Sequence, residues 1–323
     1  RTVGAEYQGT KAPLEEWRPE LWQEVFDFWQ QAFDLMLVLF ERGNAQKEKV
    51  LSDVGHSIRG FVANGRIEML DAVIRTVVSI NGRYWPAALD SIKNSFEYDS
   101  KSMKQEASDA LHSWLELLSP DAADLPEKLK ILVTNPPWEH HKGEDGHYVD
   151  VAAGNAKVLA TELSRNIEEL LPHLRLLLVG EQKQSYAFGY QLAHDLADIK
   201  QFLDFSLECL AAIERPDSRL ILGLYRGLFE QSPELWQENI DRLLADEKLI
   251  RHYPDFIRTG DIQKAHLDTL LELIKSGVLS PNDANVLSYG SVTDGIQPEV
   301  MAHFCLQLAE LGDQASWSAL NVI

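Results

Sequence analysis

Three histidines and four carboxylates crowd the thirteen residues Trp138-Glu-His140-His141-Lys-Gly-Glu144-Asp145-Gly-His147-Tyr148-Val-Asp150. Side chains of these types could ligate a metal. Their spacing matches no helix-borne His-x-x-x-His pair and no cysteine pair lies nearby, so no metal site is expected. A solvated loop explains the same residues, with Glu144 and Asp145 leading into a helix from about 148 and favouring its positive end. From 119 to 147 the sequence shows no periodic element, and connections this long are usually functional or disordered. Trp138, His140, His141, His147 and Tyr148 are therefore expected to contact a partner. Nucleophilic chemistry finds no support: there is no Gly-x-Ser-x-Gly elbow and no phosphate-cradling Gly-x-x-x-x-Gly-Lys-Ser/Thr loop. Cys209 and Cys305 fall on apolar helix faces, the setting of an inert buried thiol. His194, His266 and His303 sit at helical positions and read as packing residues.

One further motif is sharp. Ile131-Leu-Val-Thr-Asn135-Pro136-Pro137-Trp138 resembles the Asn-Pro-Pro-aromatic motif of amino-methyltransferases. The resemblance implies a preceding sheet strand, an Asn135 that holds the target amine, a Trp138 that stacks on the base, and an S-adenosylmethionine site. The nearest analogue of that cofactor site is Asp53-Val-Gly55-His-Ser-Ile-Arg-Gly60 with Glu68 beyond, and it lies inside helical periodicity. The alternative is that Pro136-Pro137 stiffens a connection, since proline blocks a helix and restricts the residue before it. A doubly wound sheet needs several strand and helix units, and only 130–134 and 174–179 are candidate strands. The structural reading is preferred and the methyltransferase is kept as the alternative.

The charge distribution supplies the third candidate. Between Gly43 and Lys104 nine Lys/Arg face seven Asp/Glu, a net of +2, so the remainder of a chain of net charge -20 carries -22. Arg59, Arg66 and Arg75, with Arg83 and Lys93, could line one edge of the early helices and take an acidic peptide or a phosphate-bearing ligand. Nucleic-acid binding through 59–93 is a further alternative, opposed by the overall acidity, because backbone binding needs clustered cations. Ordinary solvated ion pairs explain the same counts and are preferred.

These residues must be positioned by helices. The proline and acidic residues of Pro19-Glu-Leu-Trp-Gln-Glu24 open a helix expected to run to Gly43. Further helices are expected at about 46–63, 66–81, 86–97, 102–118, 148–165, 183–195, 197–213, 217–230, 233–245, 262–276 and 298–311. Helical pairs recur. Ser185-Tyr-Ala-Phe-Gly189 before one amphipathic helix is echoed thirty-four residues on by Arg219-Leu-Ile-Leu-Gly223 before another, and more loosely by Ile58-Arg-Gly60-Phe and Leu287-Ser-Tyr-Gly290. Pro19–Glu24 also returns as Pro233-Glu-Leu-Trp-Gln-Glu238. A pair this size cannot bury its apolar stripe alone, so neighbours must stack, and the glycines would let helices approach closely.

On these units the chain resembles the HEAT-like, and more distantly the TPR-like, α-solenoids. The expected fold is all-α, a right-handed solenoid of irregular antiparallel helix pairs. Its parts would be helical repeats over 1–118, an irregular loop over 119–147 and helical repeats over 148–323. The resemblance implies a recognition surface, often attached to another module of the same chain. A first residue that is Arg and a final apolar stretch suggest a piece of a longer polypeptide.

Composition sets outer limits. Hydrophobic residues make up 45% and charged residues 25%, ordinary for a folded water-soluble domain. The longest apolar run, Leu35 to Phe40, is far short of the roughly 20 residues that span a bilayer. Two cysteines suit a reducing compartment. The expected function is a non-catalytic scaffold or sensor region of a larger cytoplasmic protein, without cofactor. It would bind a protein partner, or other domains of its own chain, on the concave face of its second helices. One concrete version is a regulator that holds a neighbouring effector inactive.

Overall fold

The computed structural model describes residues 3–7, 10–14, 22–42, 46–136, 140–142, 147–288 and 292–322. The chain divides into two compact units, Arg1–Ser119 and Pro120–Ile323. The architecture is all-helical. The strands among the described residues are two short antiparallel hairpins: β1 (Val3–Tyr7) with β2 (Thr10–Leu14), and β3 (His140–Lys142) with β4 (Tyr148–Asp150). No helix among them is long and apolar enough to cross a membrane.

The first unit holds α1 (Trp22–Glu41), α2 (Gln46–Ala63), α3 (Ile67–Asn81), α4 (Pro86–Asp99) and α5 (Gln105–Leu117). Gly82 ends α3 at φ 82°, a left-handed conformation open to glycine, and Pro86 starts α4 where its missing N–H costs nothing. Helix α2 lies against α4, α1 against α3, and α3 against α5. The buried side chains include Ile58, Leu70, Ile74, Ile92, Leu111 and Trp114. Both buried indoles satisfy their N–H: Trp85 donates to the Leu51 carbonyl at 2.8 Å and Trp114 to Asp71 at 2.9 Å.

The second unit begins with a helical turn, α6 (Leu125–Leu129), and a π-helical turn over Lys130–Thr134. Helices α7 (Val151–Ser164), α8 (Ser185–Asp195), α9 (Ile199–Ala211), α10 (Arg219–Gln231) and α11 (Pro233–Leu243) follow. Helices α12 (Tyr253–Ile257), α13 (Lys264–Lys275), α14 (Pro298–Ala309) and α15 (Asp313–Val322) complete it. Aspartates or serine at 124, 150, 198 and 232 accept the third backbone N–H beyond them and cap α6, α7, α9 and α11.

Its closest helix contact joins α8 to α10. A Cβ placed on Gly189 would collide with the Leu220 carbonyl oxygen, and one on Gly223 with the Tyr186 carbonyl oxygen. One on Gly227 would come within 2.5 Å of the Ala193 Cβ. The obstacles at Gly189 and Gly223 are backbone, so only glycine permits this approach. Beyond α10, Trp236 donates to Thr259 Oγ1 at 2.8 Å, and Gly260 is pressed against the indole. Buried His266 accepts the Gln263 N–H on Nδ1 at 3.0 Å, so Nε2 carries the proton and donates to Gln237 Oε1 at 2.8 Å.

Long-range side-chain bridges recur at the length of one helix pair. Trp85 to Leu51, Arg83 to Leu117, Gln184 to Asp150 and Thr161 to Asp195 each span 34 residues. Ser318 to Asn282 spans 36 and Arg242 to Asp204 spans 38. Within each unit, corresponding helices one pair apart therefore lie side by side, α2 beside α4 and α8 beside α10.

Three expectations are corrected. The small residue at the α2–α4 contact is Gly55, whose added Cβ would meet Ala87 at 2.6 Å; Gly60 is exposed, with nothing within 4 Å. The candidate strands 130–134 and 174–179 are largely helical, a π turn and a 3-10 segment over Leu171–Leu178. Their apolar runs are buried whichever backbone they adopt, which is why the pattern alone was ambiguous. The span read as an irregular loop, 119–147, contains α6 and the π turn, because Asp124-Leu-Pro-Glu127 is a helix start with its capping carboxylate in place. The recurrent hexapeptide has two fates: Trp236 is 2% exposed, whereas Trp22 is 53% exposed and Pro19–Leu21 fall outside the described residues.

Two outcomes are expected. Gly223→Ala should cost about 3 kcal/mol or more of unfolding free energy by overpacking against backbone, whereas Gly60→Ala should gain up to about 1 kcal/mol by helix propensity; urea denaturation measures both. Burial, with Arg251 beside it, pushes the His252 imidazole down to about 4, and burial lowers that of His266. Both stay neutral when folded and would titrate near 6.5 when unfolded, so the unfolded chain binds more protons between those values. Urea midpoints should accordingly fall as pH drops from about 6.5 towards 4, and less steeply in His252→Gln/His266→Gln.

Candidate functional site

The α8–α10 contact fixes a polar and aromatic face. Tyr186, Tyr190 and His194 are spaced four apart on α8, and Arg226 and Glu230 four apart on α10, so each set forms one row. With the two backbones nearly touching, the rows meet. Tyr190 donates its hydroxyl to Glu230 Oε2 at 2.6 Å, and Arg226 Nε donates to Oε1 at 2.8 Å. His194 Nε2 lies 3.5 Å from Oε2, and its ring meets Tyr190 edge-on at 4.7 Å. Lys157, from α7, places its ammonium 5.5 Å over the Tyr190 ring. Arg226 also reaches the Thr259 carbonyl at 3.4 Å and lies 5.6 Å from the Phe229 ring. Gln231 joins the helices behind this face, donating to the Ala193 carbonyl at 2.7 Å.

The electrostatics follow from these bonds. The Tyr190 hydrogen bond, then that of Arg226, holds the Glu230 carboxyl below its ordinary range. The same bond to Glu230 raises Tyr190, and burial raises Tyr186, so both phenols stay protonated. Tyr186 remains 43% exposed. The result is a fixed carboxylate ringed by donors, flanked by two tyrosine rings partly open to solvent. Such an arrangement offers flat apolar contact with defined polar readout. The two thiols are pushed up by burial and stay protonated.

The sequence candidates are other residues: Arg59, Arg66 and Arg75 belong to the first unit, and His140, His141, His147 and Tyr148 to the β3–β4 hairpin region of the second. Arg59 grips Asp99 with two bonds of 2.7 and 2.9 Å, and Arg75 pairs with Asp71 at 2.8 Å. Arg66 stacks on Phe26, 3.0 Å from the ring centroid, at the rim of a cavity of about 510 Å³ that also presents Asp27, Glu68 and Glu106. The early arginines are thus largely engaged by partners in their own unit. His140 and His141 pair through their backbones with Asp150 and Val149. His147 and Tyr148 are exposed at the start of the strand that leads into α7. Trp138 lies outside the described residues. Among those described, no group of three or more His, Cys, Asp or Glu is arranged to hold a metal.

Asn135 follows a π turn and not a sheet strand, with its N–H on the Lys130 carbonyl at 3.1 Å and its side-chain oxygen buried without a partner. The glycine-rich analogue, 53–60, lies within α2, where Gly55 is closed off by Ala87. These residues do not form a cradle for S-adenosylmethionine. The α8–α10 face was missed because it depends on pairing two rows 40 residues apart. The available signal was that both rows share helices with the close-contact glycines. No protein-family model, characterised protein or solved structure matches this chain.

Removing the Tyr190 hydroxyl in Tyr190→Phe takes away the main support of the Glu230 charge. The Glu230 carboxyl, followed by carbon-detected NMR, should titrate at a higher pH than in the parent, towards the ordinary value of about 4.3.

Proposed function

We infer that this chain is a protein-recognition region, a scaffold or sensor without chemistry of its own, and that its helix pairs stack as an irregular right-handed α-solenoid. Support for the stacking comes from bridges recurring at 34 to 38 residues and from like helices lying side by side. The recognition reading is carried by one observation, the Tyr186, Tyr190, His194, Arg226 and Glu230 face held rigid by glycine-mediated contact. Tyrosine and arginine supply much of the binding energy at protein interfaces, and preorganised side chains lose little entropy on binding. Because this face lies on α8 and α10, the contact surface is assigned to the first helices of the pairs, with the hairpin bearing His147 and Tyr148 as a second contributor.

The test is affinity capture from native extract with the parent chain and with Tyr190→Ala/Arg226→Ala as matched baits. A protein retained in stoichiometric amount by the parent and reduced at least about tenfold by the variant is expected. Equal recovery on both baits, or none on either, would overturn the assignment. Calorimetric titration with S-adenosylmethionine should give no binding heat, whereas saturable heat abolished by Asn135→Ala would favour the methyltransferase reading.

A further inference from the structure

The turn from α2 into α3 presents an arginine without an ionic partner among the described residues. Gly65, at φ 70°, closes α2: its N–H donates to the Val62 carbonyl at 2.9 Å, and the Arg66 N–H donates to the Phe61 carbonyl at 3.0 Å. These two bonds around a left-handed glycine end the helix and send the chain directly into α3. Phe61 is held in turn by the rings of Trp29 and Phe33 on α1, each 4.9 Å away. The same helix brings Phe26, 5.7 Å from Trp29, against the Arg66 guanidinium. Stacking occupies the face of the guanidinium and leaves its N–H groups, which lie in its plane, to other partners. Among the described residues they find none: Nε is buried without an acceptor, and Arg66 makes no other hydrogen bond or ion pair.

Arg66 stands on the cavity of about 510 Å³, a size usual for small-molecule sites. Asp27 of α1, Glu68 of α3 and Glu106 of α5 line it as well. Asp27 accepts the Gln23 amide at 2.8 Å, but among the described residues none of the three carboxylates pairs with a cation. A guanidinium and three carboxylates thus share one cavity without neutralising each other. Glu68 and Glu106 stand in the first turns of their helices, where their charge favours the helix start. That role requires no common cavity and leaves Arg66 unaccounted for.

We propose that this cavity binds a basic α-amino acid of the lysine or arginine type, its carboxylate on Arg66 and its cationic groups among Asp27, Glu68 and Glu106. The charges select this ligand. A planar carboxylate matches the in-plane N–H fork of a stacked arginine. The first turn of α3, which lines the cavity and has no side-chain cap, adds a positive field beside it. A simple anion would meet three carboxylates, and a simple cation would meet Arg66; a ligand bearing both signs satisfies both. One cation against three carboxylates leaves the site negative, so a ligand with one carboxylate and two cationic groups complements it best. Met69 offers an apolar contact to the aliphatic stem between those groups. The site lies wholly in the first unit and uses no residue of the α8–α10 face.

Isothermal titration calorimetry of the full chain with L-arginine and L-lysine tests this. Acetate, which has only the carboxylate, and agmatine, which is arginine without it, serve as comparisons. Saturable binding of L-arginine or L-lysine at about 1 mM or tighter is expected, with agmatine at least about tenfold weaker and acetate giving no saturable heat. Arg66→Lys keeps the charge but loses the in-plane fork, and Glu106→Gln alters an exposed side chain. Each should weaken binding at least about fivefold while far-ultraviolet circular dichroism stays that of the parent. No saturable heat with either amino acid up to about 10 mM overturns the proposal. So does agmatine binding as tightly as L-arginine, which would make the cavity a cation site, or binding that both variants leave intact.

Discussion

The second unit depends on the approach of α8 to α10. Gly189 and Gly223 each stand where any side chain would strike a carbonyl of the opposing helix. The contact is therefore made by backbone and short side chains, and its geometry is set by hard repulsion, leaving little slack. Everything mounted on it inherits that precision. Tyr190 can reach Glu230 at 2.6 Å only because the axes are this close, and Arg226 then bridges towards Thr259 after α12. The same contact brings Gln231 to the Ala193 carbonyl. A packing constraint thus fixes the geometry of the polar and aromatic face.

In the first unit a gentler version operates. Gly55 meets Ala87 as well as backbone, and Trp85 is anchored by its bond to Leu51. Two of the early arginines act here as struts. Arg59 ties the middle of α2 to the end of α4 through Asp99, whose carboxyl that bond holds below the usual range. Arg75 holds Asp71, which also accepts the Trp114 indole N–H. Arg59 and Arg75 are thus engaged by carboxylates of their own unit, while Arg66 stacks on Phe26 with its Nε buried and without a hydrogen-bond partner.

Two α-helical surfaces of the second unit differ in physical character. The α8–α10 face is polar, aromatic and internally hydrogen-bonded. The α15 face exposes Trp317 and Leu320 on the same helix as exposed Asp313.

The helices were legible in the sequence because an amphipathic stripe and its start and stop residues are local. The apolar rows of α2 and α10, Pro233 after Ser232 and the left-handed Gly82 fall where the pattern expects them. The all-helical class follows from that. The echo of Gly189 by Gly223 was also readable, since it is a matter of sequence spacing alone. Tertiary structure alone decided which glycine makes contact, Gly55 and not Gly60, because helical periodicity does not say what stands opposite a face. It likewise decided that 130–134 coils, since an apolar run is buried as strand or helix alike. Above all it placed Glu230 beside Tyr190. Hydrogen bonds between side chains 40 residues apart depend on the distance and rotation between two helices, and no local pattern encodes either quantity.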